Sequence, residues 1–217
     1  MTENAEITAL IKAVEEADSA ERLTIALWKL AQARSPEAIP TLIEALGFNN
    51  PGAAVAGVEG LVALGEVAVV PLLKQLDGFN YGARAWALRA LAKIGDPRGL
   101  ALLLDTATHD FALSVRRAAA SGLGNILWEK MDPKDRATAQ ENVYQTLLEV
   151  LQDPEWVVRY AAVVGMQGLA KAVNANSPIW LSQLLIQLGD RAKSDEELVV
   201  RARAQLAYQQ LQITTPA

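Results

Sequence analysis

Four arginines stand at a recurring distance behind an aspartate. Asp77 precedes Arg84 by seven residues, and Asp110, Asp153 and Asp195 precede Arg116, Arg159 and Arg201 by six. Guanidinium and carboxylate groups in such register are suited to bidentate ion pairs. Two further side chains break the pattern. Trp86 and Arg89 lie three residues apart in "FNYGARAWALRALAKIGDPR", a cation next to an aromatic face, which is the residue chemistry of interface hot spots. Catalytic chemistry of the common kinds has little to draw on. There is no cysteine and one histidine, His109, with no Ser or second base spaced to join it in a recognisable motif. A disulfide framework and a Cys nucleophile are excluded, a zinc site lacks its usual ligands, and no metal or cofactor is expected.

The elements that must carry these residues repeat. "NNPGAAVAGVEGLVALGEVAV" from Asn49 and "FNYGARAWALRALAKIGDPRG" from Phe79 match at an offset of 30, with Asn50, Gly52, Ala53, Leu61 and Gly65 falling on Asn80, Gly82, Ala83, Leu91 and Gly95. The same helix returns as "SVRRAAASGLGNIL", "VVRYAAVVGMQGLA" and "VVRARAQLAYQQL", with Arg84, Arg116, Arg159 and Arg201 at one position. Between them lie helices with a leucine stripe, "PTLIEAL", "VPLLKQL", "LALLLDTA", "VYQTLLEVL" and "WLSQLLIQL". "RLTIALWKLAQARSPEA" near the start matches as a half-unit. Ser35-Pro36, Gly95-Asp96-Pro97 and Asp153-Pro154 punctuate the helices. Longer connections are expected at Trp128–Asp135 and Asn174–Pro178.

A helical pair cannot bury its apolar stripe alone, so such units stack. The expected fold is all-α, a right-handed α-solenoid of about five HEAT-like helical pairs. One repeat domain is expected over residues 1–217, with a capping helix at 1–16 and a disordered tail at 211–217. Because the four arginines recur with the repeat, they read as scaffold, a ladder from one turn to a neighbouring helix. In the helix after Tyr81, Ala83, Ala87, Leu88, Leu91 and Ile94 form the buried face, while Gly82, Trp86, Arg89 and Lys93 take the opposite stripe. Trp28, Trp128, Trp156 and Trp180 read as packing residues or turn covers, with the exposure of Trp156 left open by its place just after Pro154-Glu155, and His109 reads as a solvated turn residue.

Composition bounds the function. Of 217 residues 51% are hydrophobic and 6% aromatic, and 20 basic against 25 acidic residues give a net charge of −5. That balance lacks the basic footprint of a nucleic-acid binder. The polar start "MTENAEITAL" is not a signal peptide, and the most apolar stretch is broken by Glu59, Glu66 and Pro71, so no membrane insertion is expected and the location expected is cytoplasmic.

The segments "NYGARAWALRALA" and "FALSVRRAAASGLGN" are the most specific in the chain. With the repeats on either side, from Ala17 to Ala172, they resemble the E/F-type phycobilin lyases, and within them the F-type branch. The resemblance implies a HEAT-like subunit that pairs with an E-type (alpha) subunit. The pair would attach phycocyanobilin, as substrate, through a thioether to a cysteine of the alpha-phycocyanin apoprotein. The nucleophile would belong to the acceptor, in keeping with a chain that has no cysteine. A site for a bilin calls for apolar or aromatic walls and a cation for its propionates. Tyr81, Trp86 and Arg89 would supply wall and anchor for pigment or partner, and Asp110 an acid. A related isomerising branch carries a His-Cys pair absent here, so plain attachment is expected. Phycoerythrobilin stays open as the pigment, and a non-catalytic scaffold or chaperone of phycobilisome assembly or degradation stays open as the role.

Overall fold

The computed structural model describes residues 3–76, 81–173 and 178–214, and among these only helices and turns occur. The chain divides into two compact units, residues 1–94 and 95–217. Unit 1 holds α1 (Glu3–Glu15), α2 (Ala20–Ala33), α3 (Ile39–Ala45), α4 (Pro51–Leu64), α5 (Glu66–Gln75) and α6 (Tyr81–Ile94). Unit 2 holds α7 (Leu100–His109), α8 (Leu113–Gly122), α9 (Pro133–Val150), α10 (Trp156–Val173), α11 (Trp180–Ser194) and α12 (Leu198–Thr214). Each unit contains three consecutive helical pairs. In unit 1 the second helices α2, α4 and α6 form one layer, and in unit 2 α8, α10 and α12 do the same.

The described pairs thus number six. The additional one arises because α1 packs against α2 and completes the half-unit, burying Ile7 and Val14. At the other end α12 runs through Thr214, and Leu211 is buried, so residues 211–214 are helix rather than tail. Residues 77–80 and 174–177 lie outside the described residues, and with them Asp77, most of the Asn174–Pro178 connection and any account of Arg84's upstream acid.

Local chemistry sets the boundaries. Ser19 and Asn50 cap α2 and α4 by accepting from the N–H groups of Arg22 and Ala53, and Pro51 and Pro133 occupy the first helical position of α4 and α9. Gly95 ends α6 with φ +69°, and a Cβ there would stand 2.1 Å from the carbonyl oxygen of Asn125. Its own carbonyl accepts from the Leu127 N–H at 2.8 Å, which ties the stretch before α9 back to the turn. Trp128 on that stretch is buried. Gly165 lets α10 approach α8 backbone to backbone, since a Cβ would lie 2.3 Å from the Ala120 oxygen. Leucines fill the space between layers, with Leu27, Leu42, Leu61, Leu88, Leu103 and Leu147 fully buried. Each such side chain contributes roughly 1.5–3 kcal/mol of transfer free energy.

The arginine ladder is present in unit 2, with a definite direction. Arg116 donates from Nη1 to the carbonyls of Asp110 and Phe111 in its own turn, at 2.9 and 3.1 Å. Its Nε and Nη2 reach forward to the Asp153 carboxylate at 2.7 and 3.2 Å. Arg159 repeats the arrangement on Asp153 and Pro154 behind it (2.9 and 3.1 Å) and on Asp195 ahead (2.9 and 3.0 Å). Each carboxylate also accepts from a backbone N–H two residues on, Glu155 for Asp153 and Glu197 for Asp195. The acid upstream in sequence therefore contributes its carbonyl, and the carboxylate partner comes from the following pair.

Candidate functional site

Helix α6 presents the two faces expected of it. Ala83, Ala87, Leu88, Leu91 and Ile94 are buried, while Gly82 and Lys93 are exposed and Trp86 and Arg89 half-buried. The three-residue spacing places the Arg89 guanidinium carbon 4.3 Å from the Trp86 ring centroid, a cation–π contact. One turn further, Lys93 pairs with Glu59 on α4. That carboxylate in turn borders a depression of about 200 Å³ lined by Trp28, Ala31, Gln32 and Arg34 together with Ala63. Trp28 is 38% exposed, unlike the packing residue expected from sequence. The α2–α4–α6 face of unit 1 therefore bears two tryptophans, the Arg89 and Lys93 cations and one carboxylate.

Trp28 was legible in principle. Taking the N-caps Ser19 and Asn50 as register, Trp28 stands at the position of Glu59 and Arg89 in the following repeats. The half-unit match near the N-terminus hides this because its turn is capped by Ser rather than Asn. Arg34 ends α2 with φ 51°, where the following repeats use Gly65 and Gly95. A left-handed non-glycine residue is uncommon, and here it sits at the rim of the depression.

The remaining expected site residues fall elsewhere. Tyr81 opens α6, and its side chain lies outside the described residues. Asp110 belongs to unit 2, where its carboxylate accepts from the Ala112 N–H at 2.9 Å and its carbonyl from Arg116. Its observed contacts are those of a turn that starts α8. His109 ends α7, exposed, with Nδ1 near the Thr108 hydroxyl and the Asp105 carboxylate. Among the other tryptophans, Trp180 stacks on Tyr144 at 5.1 Å and 12°, and Trp156 is 41% exposed at the start of α10. The Tyr144–Trp180 stack floors a groove of about 1130 Å³ between α9 and α11, a feature no sequence motif marks. Among the described residues no three His, Cys, Asp or Glu side chains cluster as metal ligands. No described helix is long and apolar enough to cross a membrane.

Comparison with known proteins gives this geometry a context. The family model of HEAT repeats matches residues 7–78 and 70–167. The chain is 55% identical over 207 residues to the phycocyanobilin lyase subunit beta of Pseudanabaena tenuis (strain PCC 7409), covering 95% of this chain and 73% of that one. It is 57% identical over 166 residues to the phycocyanin alpha phycocyanobilin lyase CpcF of Synechocystis sp. (strain ATCC 27184 / PCC 6803 / Kazusa), covering 76% of this chain and 78% of that one. Among solved structures, a chain in the complex of CpcE and CpcF of phycocyanin lyase from Nostoc sp. PCC7120 aligns with a TM-score of 0.72 at 51% identity, over 80% of this chain and 99% of that chain.

Proposed function

We propose a function from one premise: this chain belongs to the phycocyanobilin lyase beta-subunit family, whose fold is built of HEAT repeats. It is the beta subunit of a heterodimeric lyase that works with an E-type partner and attaches phycocyanobilin, through a thioether, to a cysteine of alpha-phycocyanin. It acts in the cytoplasm. The chain has no cysteine of its own, so the sulfur that forms the bond comes from the acceptor.

The observation that carries the reading at the level of residues is the Arg89–Trp86 contact on the α2–α4–α6 face. A bilin is an extended conjugated chain with two propionates. Trp86 offers an aromatic wall, and Arg89 a planar cation that suits a carboxylate. Trp28 extends the wall across the layer. Tyr81, at the start of the same helix, belongs to this proposed surface. Asp110, engaged at the start of α8, is not needed for it. The contribution to catalysis is positional: holding a flexible pigment in one geometry beside the acceptor thiol lowers the entropic part of the barrier.

Co-expression tests the reading. Apo-alpha-phycocyanin, phycocyanobilin, an E-type subunit and this chain give a covalent, zinc-fluorescent band. An unchanged yield without this chain would sink the lyase assignment and leave a scaffold role. A full yield from this chain alone would sink the heterodimer.

A further inference from the structure

The ladder has a last rung, and it is half empty. Arg201 grips its own turn as the others do, with Nη1 donating to the Asp195 and Glu196 carbonyls at 2.6 and 3.0 Å. In Arg116 and Arg159 the remaining donors, Nε and Nη2, hold the aspartate of the next pair. Among the described residues no carboxylate meets those donors of Arg201. The fork is nevertheless aligned for one, because the same two carbonyls that orient Arg159 have their counterparts here.

The helix surface beyond that rung is also open. In α10 the stripe that follows Arg159, namely Val163, Gln167 and Ala170, is buried. The corresponding stripe after Arg201 is Gln205, Gln209 and Gln212, and all three are exposed. A terminal repeat needs a polar outer face. A face made only for water would ordinarily carry Lys and Glu, yet α12 contains no Lys, Glu or Asp at all. Arg retained with Lys, Glu and Asp depleted is the composition of an interface.

We infer that the α12 end of unit 2 docks a second helical-repeat chain, whose helix-capping aspartate enters the Arg201 fork and continues the ladder across the subunit boundary. The occupant is specified by the rungs already filled: an aspartate that accepts from a backbone N–H two residues on while binding the arginine behind it. A second copy of this chain does not offer that group at its first turns. The cap of α2 is Ser19 and that of α4 is Asn50, and Asp18 is already paired with Arg22 at 3.0 Å. Head-to-tail stacking of copies would also generate a ring or an open filament rather than a closed pair. The inference rests on the heterodimer reading and assigns it a surface.

Binding of the purified E-type subunit, read by biolayer interferometry at low and high salt, tests it. Arg201→Ala is expected to raise Kd at least about 10-fold and to lose part of the salt dependence, with helicity retained and Tm lowered only by the loss of its two bonds to its own turn. The Gln205→Glu/Gln209→Glu pair is expected to weaken binding similarly, by placing acids opposite the incoming aspartate, and does not depend on how Arg201→Ala folds. Wild-type affinity in both variants overturns the inference while leaving the heterodimer intact. Self-association that disappears in Arg201→Ala overturns it in favour of a second copy. Failure of the unmutated chain to bind the E-type subunit overturns the heterodimer reading itself.

Discussion

Arg159 and Asp195, 36 residues apart in sequence, form a two-point ion pair in which the carboxylate has no exposed surface. Arg191 adds a third contact to the same carboxylate at 3.2 Å, and the Glu197 N–H a fourth at 2.9 Å. The pair joins the α9–α10 hairpin to the α11–α12 hairpin. Its members have no alternative partner in water once buried.

Removing one member should therefore be costly. Asp195→Ala is expected to lower stability by about 3–5 kcal/mol, because it strands the buried Arg159 guanidinium and takes a partner from half-buried Arg191. Asp18→Ala, which breaks an exposed pair with Arg22, should cost less than about 1 kcal/mol. Urea unfolding of the two variants side by side checks the contrast.

Acid should weaken the protein in a defined window. Burial opposes ionisation of Asp195, but the hydrogen bonds from Arg159 and the Glu197 N–H, with the charges of Arg159 and Arg191, outweigh it and hold the carboxyl below its ordinary value. Asp96 is lowered as well, first by its hydrogen bonds with Arg98. A carboxylate depressed in the folded state binds fewer protons than in the unfolded chain. Its stabilisation is full above the unfolded pKa, about 3.9, and is lost as pH falls through and below that value. The urea midpoint should hold from pH 7 to about pH 5 and drop steeply below about pH 4. Asp195→Asn should have a lower midpoint at neutral pH and a shallower acid decline.

Close backbone approach should be intolerant of a single methyl group. Gly165→Ala would set a Cβ 2.3 Å from the Ala120 oxygen and 2.9 Å from Leu147 Cδ2. The expected loss is about 1–3 kcal/mol from forced separation of α8 and α10. Differential scanning calorimetry should show it. A Gly189→Ala control, where the nearest atom is Tyr208 Cε2 at 3.6 Å, should change little beyond helix propensity.

The proposed pigment surface should separate function from stability. Trp86→Ala and Arg89→Ala are each expected to reduce the initial rate of bilin attachment roughly 10-fold or more, in keeping with interface anchors. Arg89→Lys should recover only part, since an ammonium lacks the planar fork. Zinc-fluorescence time courses give the rates. A full rate in the Trp86→Ala, Arg89→Ala double variant would remove this face from the site.

The sequence carried the fold well where one residue type had one job. Alanine, leucine and glycine returned in one order from unit to unit, and each return became a helical pair. The Arg–Asp register announced a ladder but not its direction, because a separation of six residues brings the upstream acid's carbonyl near the arginine as well as the following pair's carboxylate. Trp86 and Arg89 stood out by departing from their own repeat, and they do meet. Trp28 was missed since its exposure depends on which neighbours flank α2, and the half-unit's altered cap concealed its register. The Tyr144–Trp180 groove was invisible for a different reason: its parts come from two helices whose spacing in sequence is set by a connection with no motif.

Asp153 and Asp195 each serve two masters at once, the first turn of their own helix and the arginine of the hairpin before it. A hairpin cannot fray privately under that arrangement. Opening the turn at Asp195 frees the amide of Glu197 to exchange with solvent and simultaneously unbinds Arg159, whose release loosens the carbonyls of Asp153 and Pro154 one hairpin back. Amide exchange along the turns before α8, α10 and α12 should consequently be correlated rather than graded, so that these three surface turns, each a site where loops ordinarily breathe independently, move as one clasp.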